Sequence, residues 1–281
     1  DNNRVKAARL EDQRMYNFTF GGNHQFNKLT ATWNLTAARA SEERPNERYI
    51  MFRRSGRAVT VDVSNPEKPY AFLADPQVNF SLPLNEITEQ YGFTKDQDLN
   101  GRLDFTLPYD KNSSLKFGGR FRTKEKSRGN NFFEYEPTSG FSNLGSVPNR
   151  NESDPGFLAG RQYQVGSFTT PAYLGSLQLK NSALFEEKDL PEEYAASNYN
   201  ARENIYAAYI MANHSFSDKF SAVGGLRYEA TNIDYTGNVY DIDNETVKSD
   251  SRSNSYGNFM PGLHLRYTPG KYTVLRAAWT N

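Results

Sequence analysis

Residues 99–124 read Leu99-Asn-Gly-Arg-Leu-Asp-Phe-Thr-Leu-Pro-Tyr-Asp-Lys-Asn-Ser-Ser-Leu-Lys-Phe-Gly-Gly-Arg-Phe-Arg-Thr-Lys124. Successive side chains of a strand point to opposite faces, so a strand between an apolar medium and water must alternate. This stretch alternates twice. Leu99, Gly101, Leu103, Phe105 and Leu107 share one face, with Asn100, Arg102, Asp104 and Thr106 on the other. After a turn-like Pro108–Ser113, Leu115, Phe117, Gly119 and Phe121 oppose Lys116, Gly118, Arg120, Arg122 and Lys124. The pattern is a β-hairpin with one oily face and one charged face.

The same pattern recurs on both sides. Residues 29–37 set Leu29, Ala31, Trp33, Leu35 and Ala37 against Thr30, Thr32, Asn34 and Thr36. Tyr16, Phe18 and Phe20 oppose Asn17 and Thr19. Residues 220–230 set Phe220, Ala222, Gly224, Leu226 and Tyr228 against Ser221, Arg227 and Glu229, and Phe259, Leu263, Leu265 and Tyr267 oppose His264 and Arg266. Residues 272–280 repeat it with Leu275, Ala277 and Trp279 against Arg276, while residues 203–213 are apolar on both faces.

The connections point to a membrane. Four are short (His24–Lys28, Pro108–Ser113, Ser215–Lys219 and Thr268–Lys271), and three are long and polar, at roughly 39–97, 127–202 and 237–255. Short and long alternate strictly, as in an outer-membrane barrel with short periplasmic turns and longer extracellular loops. Structureless loops of this length count against a compact soluble domain. Phe26, Tyr109, Phe216, Tyr267 and Tyr272 flank the short turns, where an interfacial aromatic girdle belongs.

Composition agrees. The 281-residue chain is only 37% hydrophobic yet 14% aromatic. That is too aromatic for a disordered chain and poor in aliphatics for a soluble core. A barrel with an apolar outside and a polar lumen has such an average. Lys plus Arg and Asp plus Glu are both 33, which gives no basic excess for nucleic acid. Without cysteine there is no disulfide framework or thiolate metal site. No window approaches the ~18 apolar residues of a membrane helix. The expectation is an all-β fold: a transmembrane antiparallel β-barrel with eight strands in residues 1–281, all belonging to one barrel domain. The last strand, ending Trp279-Thr280-Asn281, has no following turn, so the expected barrel is larger than these eight strands.

From Glu203 to Asn281 the chain resembles the barrel domain of TonB-dependent outer-membrane receptors. The residues that carry this are Tyr209-Ile-Met-Ala-Asn213, Phe216-Ser-Asp-Lys-Phe220, Gly224-Gly-Leu-Arg-Tyr-Glu229, Asn258-Phe-Met-Pro-Gly-Leu263, His264-Leu-Arg-Tyr267 and Leu275-Arg-Ala-Ala-Trp-Thr280. They follow the family's order of a GGxRxE strand and a PxxxxxY…RAA hairpin, in the aromatic, Asn-rich style of Bacteroidetes receptors. The resemblance implies a 22-stranded barrel around an N-terminal plug, opened by the TonB complex. It implies import of a scarce nutrient such as a siderophore, glycan or peptide. The plug, the TonB box and the C-terminal strands are not recognisable here, so TonB would act through a region absent from this chain. The alternatives are a passive porin or surface-adhesion barrel, and a soluble carbohydrate-binding β protein.

Two groups of residues are candidates for ligand contact. The first is the charged lumen face: Arg102, Arg120, Arg122, Arg227, Glu229, His264, Arg266 and Arg276. Arginine's planar fork would guide an anionic substrate or grip plug carboxylates; the competing reading is a solvated wall of ion pairs. The second is the loop aromatics: Tyr70, Phe72, Phe132, Phe133, Tyr135 and Phe141. They suit a flat or sugar-like ligand or a surface lipoprotein; the competing reading is a loop packed on itself. Tyr194 and Tyr199 lie near the end of the second long loop. The acidic Asp241-Ile-Asp243-Asn244-Glu245 lacks the glycine of a calcium loop and reads as solvated. The three histidines lie outside the long loops, which weakens a haem-receptor reading. No enzyme, cofactor or metal site is expected.

Overall fold

The computed structural model describes residues 2–56, 58–67, 69–73, 81–154, 156 and 166–281. Its main sheet takes strands β1 (Asn2–Arg9), β2 (Asp12–Phe26), β3 (Leu29–Arg54), β6 (Leu84–Asp110), β7 (Ser113–Pro137), β11 (Tyr199–Ser215), β12 (Phe220–Asp241), β13 (Thr246–Gly270) and β14 (Thr273–Thr280). The order is β1-β3-β6-β7-β11-β12-β13-β14; β2 pairs with β3, and β10 (Phe185–Asp189) with β7. Two small hairpins stand apart, β4 (Val59–Asp62) with β5 (Tyr70–Leu73) and β8 (Asn149–Asn151) with β9 (Ser167–Thr169).

The eight strands expected from alternation are β2, β3, β6, β7, β11, β12, β13 and β14, and all four short turns are where the sequence places them. Asn27 takes the left-handed conformation (φ 53°) in the turn after β2, which asparagine tolerates better than most residues. Among the described residues β2 and β14 are not paired, so these eight strands do not close on themselves.

The three long loops need correction. Strand β6 has 27 residues and β7 has 25; at ~3.3 Å per residue β6 runs ~90 Å. Much of the predicted loop sequence is therefore strand, and the third loop shrinks to the turn between Asp241 and Thr246. The reason is solvent. Where both faces of a strand meet water or polar neighbours, alternation disappears while backbone pairing continues. In the β12–β13 ladder it continues from Phe220↔Tyr267 to Asp241↔Thr246 without a register break.

The chain forms two compact units. The wall unit comprises Gln13–Glu42, Thr94–Gly129 and Ala196–Asn281; the loop unit comprises Asp1–Asp12, Glu43–Phe93 and Asn130–Ala195. The wall's oily face is a row of exposed large side chains in register. Phe117 faces Ile210 and Phe121 faces Tyr206 across β7–β11, Ile210 faces Leu226 across β11–β12, and Leu263 faces Trp279 across β13–β14. Exposed apolar side chains at such density are unfavourable in water and ordinary against acyl chains. On β6 the belt spans Leu99 to Leu107, ~26 Å along the strand, which matches the apolar band of an outer-membrane barrel. The Phe121 ring covers Gly101, whose added Cβ would lie 2.2 Å from it, so the glycine is what lets the ring lie flat on the wall.

The loop unit has a core of its own. Ile50 and Phe52 of β3, Leu82, Ile87 of β6, Tyr135 of β7, Leu144, Leu174 of helix α1 (Pro171–Ser176), Leu179 and Phe185 of β10 bury together. Full burial of such side chains stabilises by ~1.5–3 kcal/mol each. Thr170 caps α1 by accepting from the Tyr173 amide, with Pro171 at the first helical position.

Candidate functional site

The lumen face is the polar face of the wall unit. Strands β6 and β7 put their charged residues opposite one another. The Arg120 Nε donates to Asn100 Oδ1 at 2.7 Å, the Arg122 Nε donates to Asp98 Oδ2 at 2.7 Å, and Lys124 pairs with Asp96 at 3.3 Å. As one index rises by two the other falls by two, which is an antiparallel register. One rung group further down, the Tyr209 hydroxyl donates to Asp104 Oδ1 at 2.7 Å. Arg102 forms an ion pair with Asp104, yet Asp104 Oδ2 has no hydrogen-bond partner; the Arg102 contact is coulombic, without hydrogen-bond alignment. Arg227 Nη2 donates to Glu229 Oε2 at 2.5 Å.

Five of the eight lumen candidates thus lie on one polar face in short-range pairs: Arg102, Arg120, Arg122, Arg227 and Glu229. Chemically this makes a row of fixed dipoles, polar enough to hold water and largely neutral overall. His264, Arg266 and Arg276 lie apart, towards β14. His264 faces Val223 and Ala278, and Arg266 faces both Ser221 and Arg276. Two arginines directly opposite repel, so that corner carries more net positive charge than the β6–β7 ladder.

The loop aromatics divide. Tyr70 lies on β5 opposite Asp62. Phe72 shares that strand, but its side chain lies outside the described residues. Phe132, Phe133 and Tyr135 are on strand β7 rather than in a loop. Tyr135 is 1% exposed, inside the loop-unit core, and Phe133 and Phe141 pack against that core. Phe141 lies 5.6 Å from the Phe185 ring and 6.3 Å from that of Tyr173, centroid to centroid. Phe132 is half-buried.

Around Tyr135 the structure assembles a network that sequence reading missed. Glu89 is fully buried and accepts from Arg48 Nε at 2.6 Å and from the Tyr91 hydroxyl at 2.5 Å. Arg48 Nη1 also donates to the carbonyls of Gly175 at 3.0 Å and Leu177 at 2.9 Å, at the C-terminal end of α1, where a cation also meets the negative end of the helix dipole. The Tyr135 hydroxyl donates to Glu187 Oε2 at 2.8 Å, and Lys180 Nζ donates to the same carboxylate at 2.5 Å. Lys180 Nζ lies 4.1 Å from the Phe133 ring centre, with Tyr135 at 5.5 Å and Tyr91 at 5.7 Å.

The electrostatics follow. Burial, then donation to Glu89, pushes the Tyr91 hydroxyl up to about 12. Burial and the bond to Glu187 raise Tyr135 too. The Lys180 ammonium holds Glu187 below the usual carboxylate range. The parity of Glu89 with Tyr91, and of Phe133 with Tyr135, was a readable signal for one shared face; Lys180 and Arg48 gave none. Among the described residues no cluster of three or more His, Cys, Asp or Glu is arranged to hold a metal. A recess of about 900 Å³ in the wall unit lies on the oily face, lined by Gly101, Gly119, Phe121 and Tyr206. Acyl chains fill such a surface in a bilayer, so it is not the candidate site.

Residues 176–280 match the model of the outer membrane protein beta-barrel family. Among solved structures, the chain is similar to the ferric-catecholate import receptor Fiu from E. coli K12 (11% identity, TM-score 0.49, 97% of this chain and 36% of that one). It is also similar to the siderophore receptor PiuA from Acinetobacter baumannii (11% identity, TM-score 0.43, 93% of this chain and 31% of that one). The chain spans about a third of the length of these two structures. No curated protein matches it. The chain builds outer-membrane β-barrel wall, and its place is the bacterial outer membrane.

Proposed function

We propose that this chain supplies part of the wall and part of the ligand-capturing surface of a TonB-dependent receptor that imports a scarce nutrient. The observation that carries the reading is the character of the long connections. They continue the strands and then build a unit with its own hydrophobic core and a buried ion pair. A passive pore needs only to keep its mouth open, whereas a receptor needs a shaped, rigid surface to hold a dilute ligand until the pore opens. The motif order from Gly224-Gly-Leu-Arg-Tyr-Glu229 to Leu275-Arg-Ala-Ala-Trp-Thr280 supports TonB as the energy source. The outer membrane holds no usable ion gradient or ATP, so accumulation there requires work delivered from the inner membrane.

The nutrient is a siderophore, glycan or peptide, and a surface lipoprotein partner would dock on the loop unit. The test is uptake by cells expressing the full-length gene, with and without TonB. Import that stops without TonB is the expected result. Diffusion-like uptake indifferent to TonB would replace this reading with a porin.

A further inference from the structure

Strand β7 carries a basic residue at every inner position from 120 to 128: Arg120, Arg122, Lys124, Lys126 and Arg128. The first three have partners on β6, as described above. The last two do not. Lys126 faces Ala201 and Arg128 faces Tyr199 across the β7–β11 ladder. Among the described residues neither cation makes an ion pair or side-chain hydrogen bond. The Arg128 Nε is moreover buried with no acceptor, and a buried polar nitrogen without a partner is rare enough to require an explanation.

The surroundings suggest what is missing. Tyr199 stacks on Tyr235, ring centres 5.6 Å apart and planes 25° from parallel. Both share the inner face with Arg128, and Gly237, which faces Tyr199, is covered by the Tyr235 ring. Of the carboxylates on this face, Glu203 faces Lys124, and Asp250 accepts from Arg252 at 3.0 Å. Arg128 lies seven residues beyond Phe121 of the apolar belt, ~23 Å along the strand on the side away from the short turns.

We propose that Lys126, Arg128, Tyr199 and Tyr235 form a binding site for an anionic ligand carried on a flat ring. The Arg128 fork and the Lys126 ammonium take its carboxylates, and the ring lies against the tyrosine pair. Arginine suits planar carboxylates, and the electron-rich tyrosine faces suit a ring whose carboxylates withdraw electrons. The proposal deepens the import reading and rests on it for the side from which ligand arrives. Equilibrium binding needs no energy source, so a failed binding experiment leaves TonB-dependence untouched, and TonB-independent uptake leaves the site untouched.

The probe is isophthalate, titrated calorimetrically into the full-length protein in nanodiscs. Isophthalamide is the uncharged control and cyclohexane-1,3-dicarboxylate the non-aromatic one. Isophthalate should bind at least about tenfold more tightly than either, and the K126Q/R128Q pair should remove its advantage over the diamide; tenfold corresponds to about 1.4 kcal/mol. Y199L/Y235L should erase the preference for the ring but keep the preference for charge. Because Arg128 has no partner to lose, R128Q alone should melt no lower than the parent. Equal binding of the diamide, isophthalate affinity unchanged in K126Q/R128Q, or a lower melting temperature in R128Q would each overturn the assignment.

Discussion

Replacing Glu89 by alanine tests whether the loop unit is a rigid, independently packed body. Glu89 is 0% exposed, and among the described residues its only cationic partner is Arg48, whose side chain is 16% exposed. Removing one partner of a buried pair leaves the other charge uncompensated, which costs about 3–5 kcal/mol. Two contributions modify this. Arg48 keeps its bonds to the Gly175 and Leu177 carbonyls, which favours the lower end. The Tyr91 hydroxyl loses its acceptor, which adds about 1 kcal/mol. The net expectation is a loss of about 3–4 kcal/mol, confined to the loop unit. Hydrogen exchange on the full-length protein reads it, with amides of 43–54, 84–91 and 130–137 losing protection and those of 220–230 and 259–267 keeping it. The double variant Arg48→Met, Glu89→Leu should recover much of the loss, since apolar replacement of a buried pair is often neutral. Protection changed by less than about 1 kcal/mol in Glu89→Ala, or lost equally across the wall strands, would refute the reasoning.

Gly118→Ala should destabilise the wall by about 1–3 kcal/mol, because its Cβ would sit 2.4 Å from the Leu103 carbonyl oxygen; urea unfolding in detergent measures it, and a neutral variant would show that β6 and β7 can separate freely. Leu103→Arg puts a charge in the oily belt and should cost about 2–4 kcal/mol near the bilayer midplane, read as loss of heat-modifiable folded band on gels; an unaffected variant would place residue 103 in water. At alkaline pH the loop unit should weaken between pH 10 and about 12. Tyr91 holds its proton to about 12 when folded and releases it from 10.0 when unfolded, so its contribution is full below 10 and lost as pH rises. Glu187 has the opposite sign: its folded pKa is depressed below 4.5 by Lys180, so its contribution is present above 4.5 and lost as pH falls. Lys180→Met should abolish the acid component alone, and hydrogen exchange or proteolysis of the loop unit across the two limbs measures both.

The sequence read best where one face of a strand met lipid. Leu99 to Leu107 and Leu115 to Phe121 alternate because bilayer and lumen impose opposite chemistry on successive residues, and the pairing found there follows. Beyond Phe121 that contrast ends. Residues 127–137 show no sustained alternation of apolar with polar, so they read as loop although they lie on β7. Tyr135 looked like a surface aromatic because exposure is not encoded locally; only the return of Leu179 and Phe185 over the sheet buries it. For the lumen arginines, spacing gave the face correctly, but whether each was paired depended on the register between β6 and β7. A shift of one residue would have set Arg122 against Leu99 or Gln97 instead of Asp98. The two cations left without an ion pair among the described residues, Lys126 and Arg128, were invisible in a count that balanced charge over the whole chain.

The central claim is that odd positions of β6 face lipid and even positions face an aqueous lumen. The chain has no cysteine, so single cysteines at 99 through 107 can be spin-labelled in the full-length protein in liposomes. Oxygen and a water-soluble nickel chelate then report collision rates at each position. The account predicts strict alternation, with 99, 103 and 105 accessible to oxygen and shielded from the chelate, and 100, 102 and 104 the reverse. Chelate access at the odd positions, or no alternation at all, would contradict the barrel wall and leave a water-soluble sheet in its place.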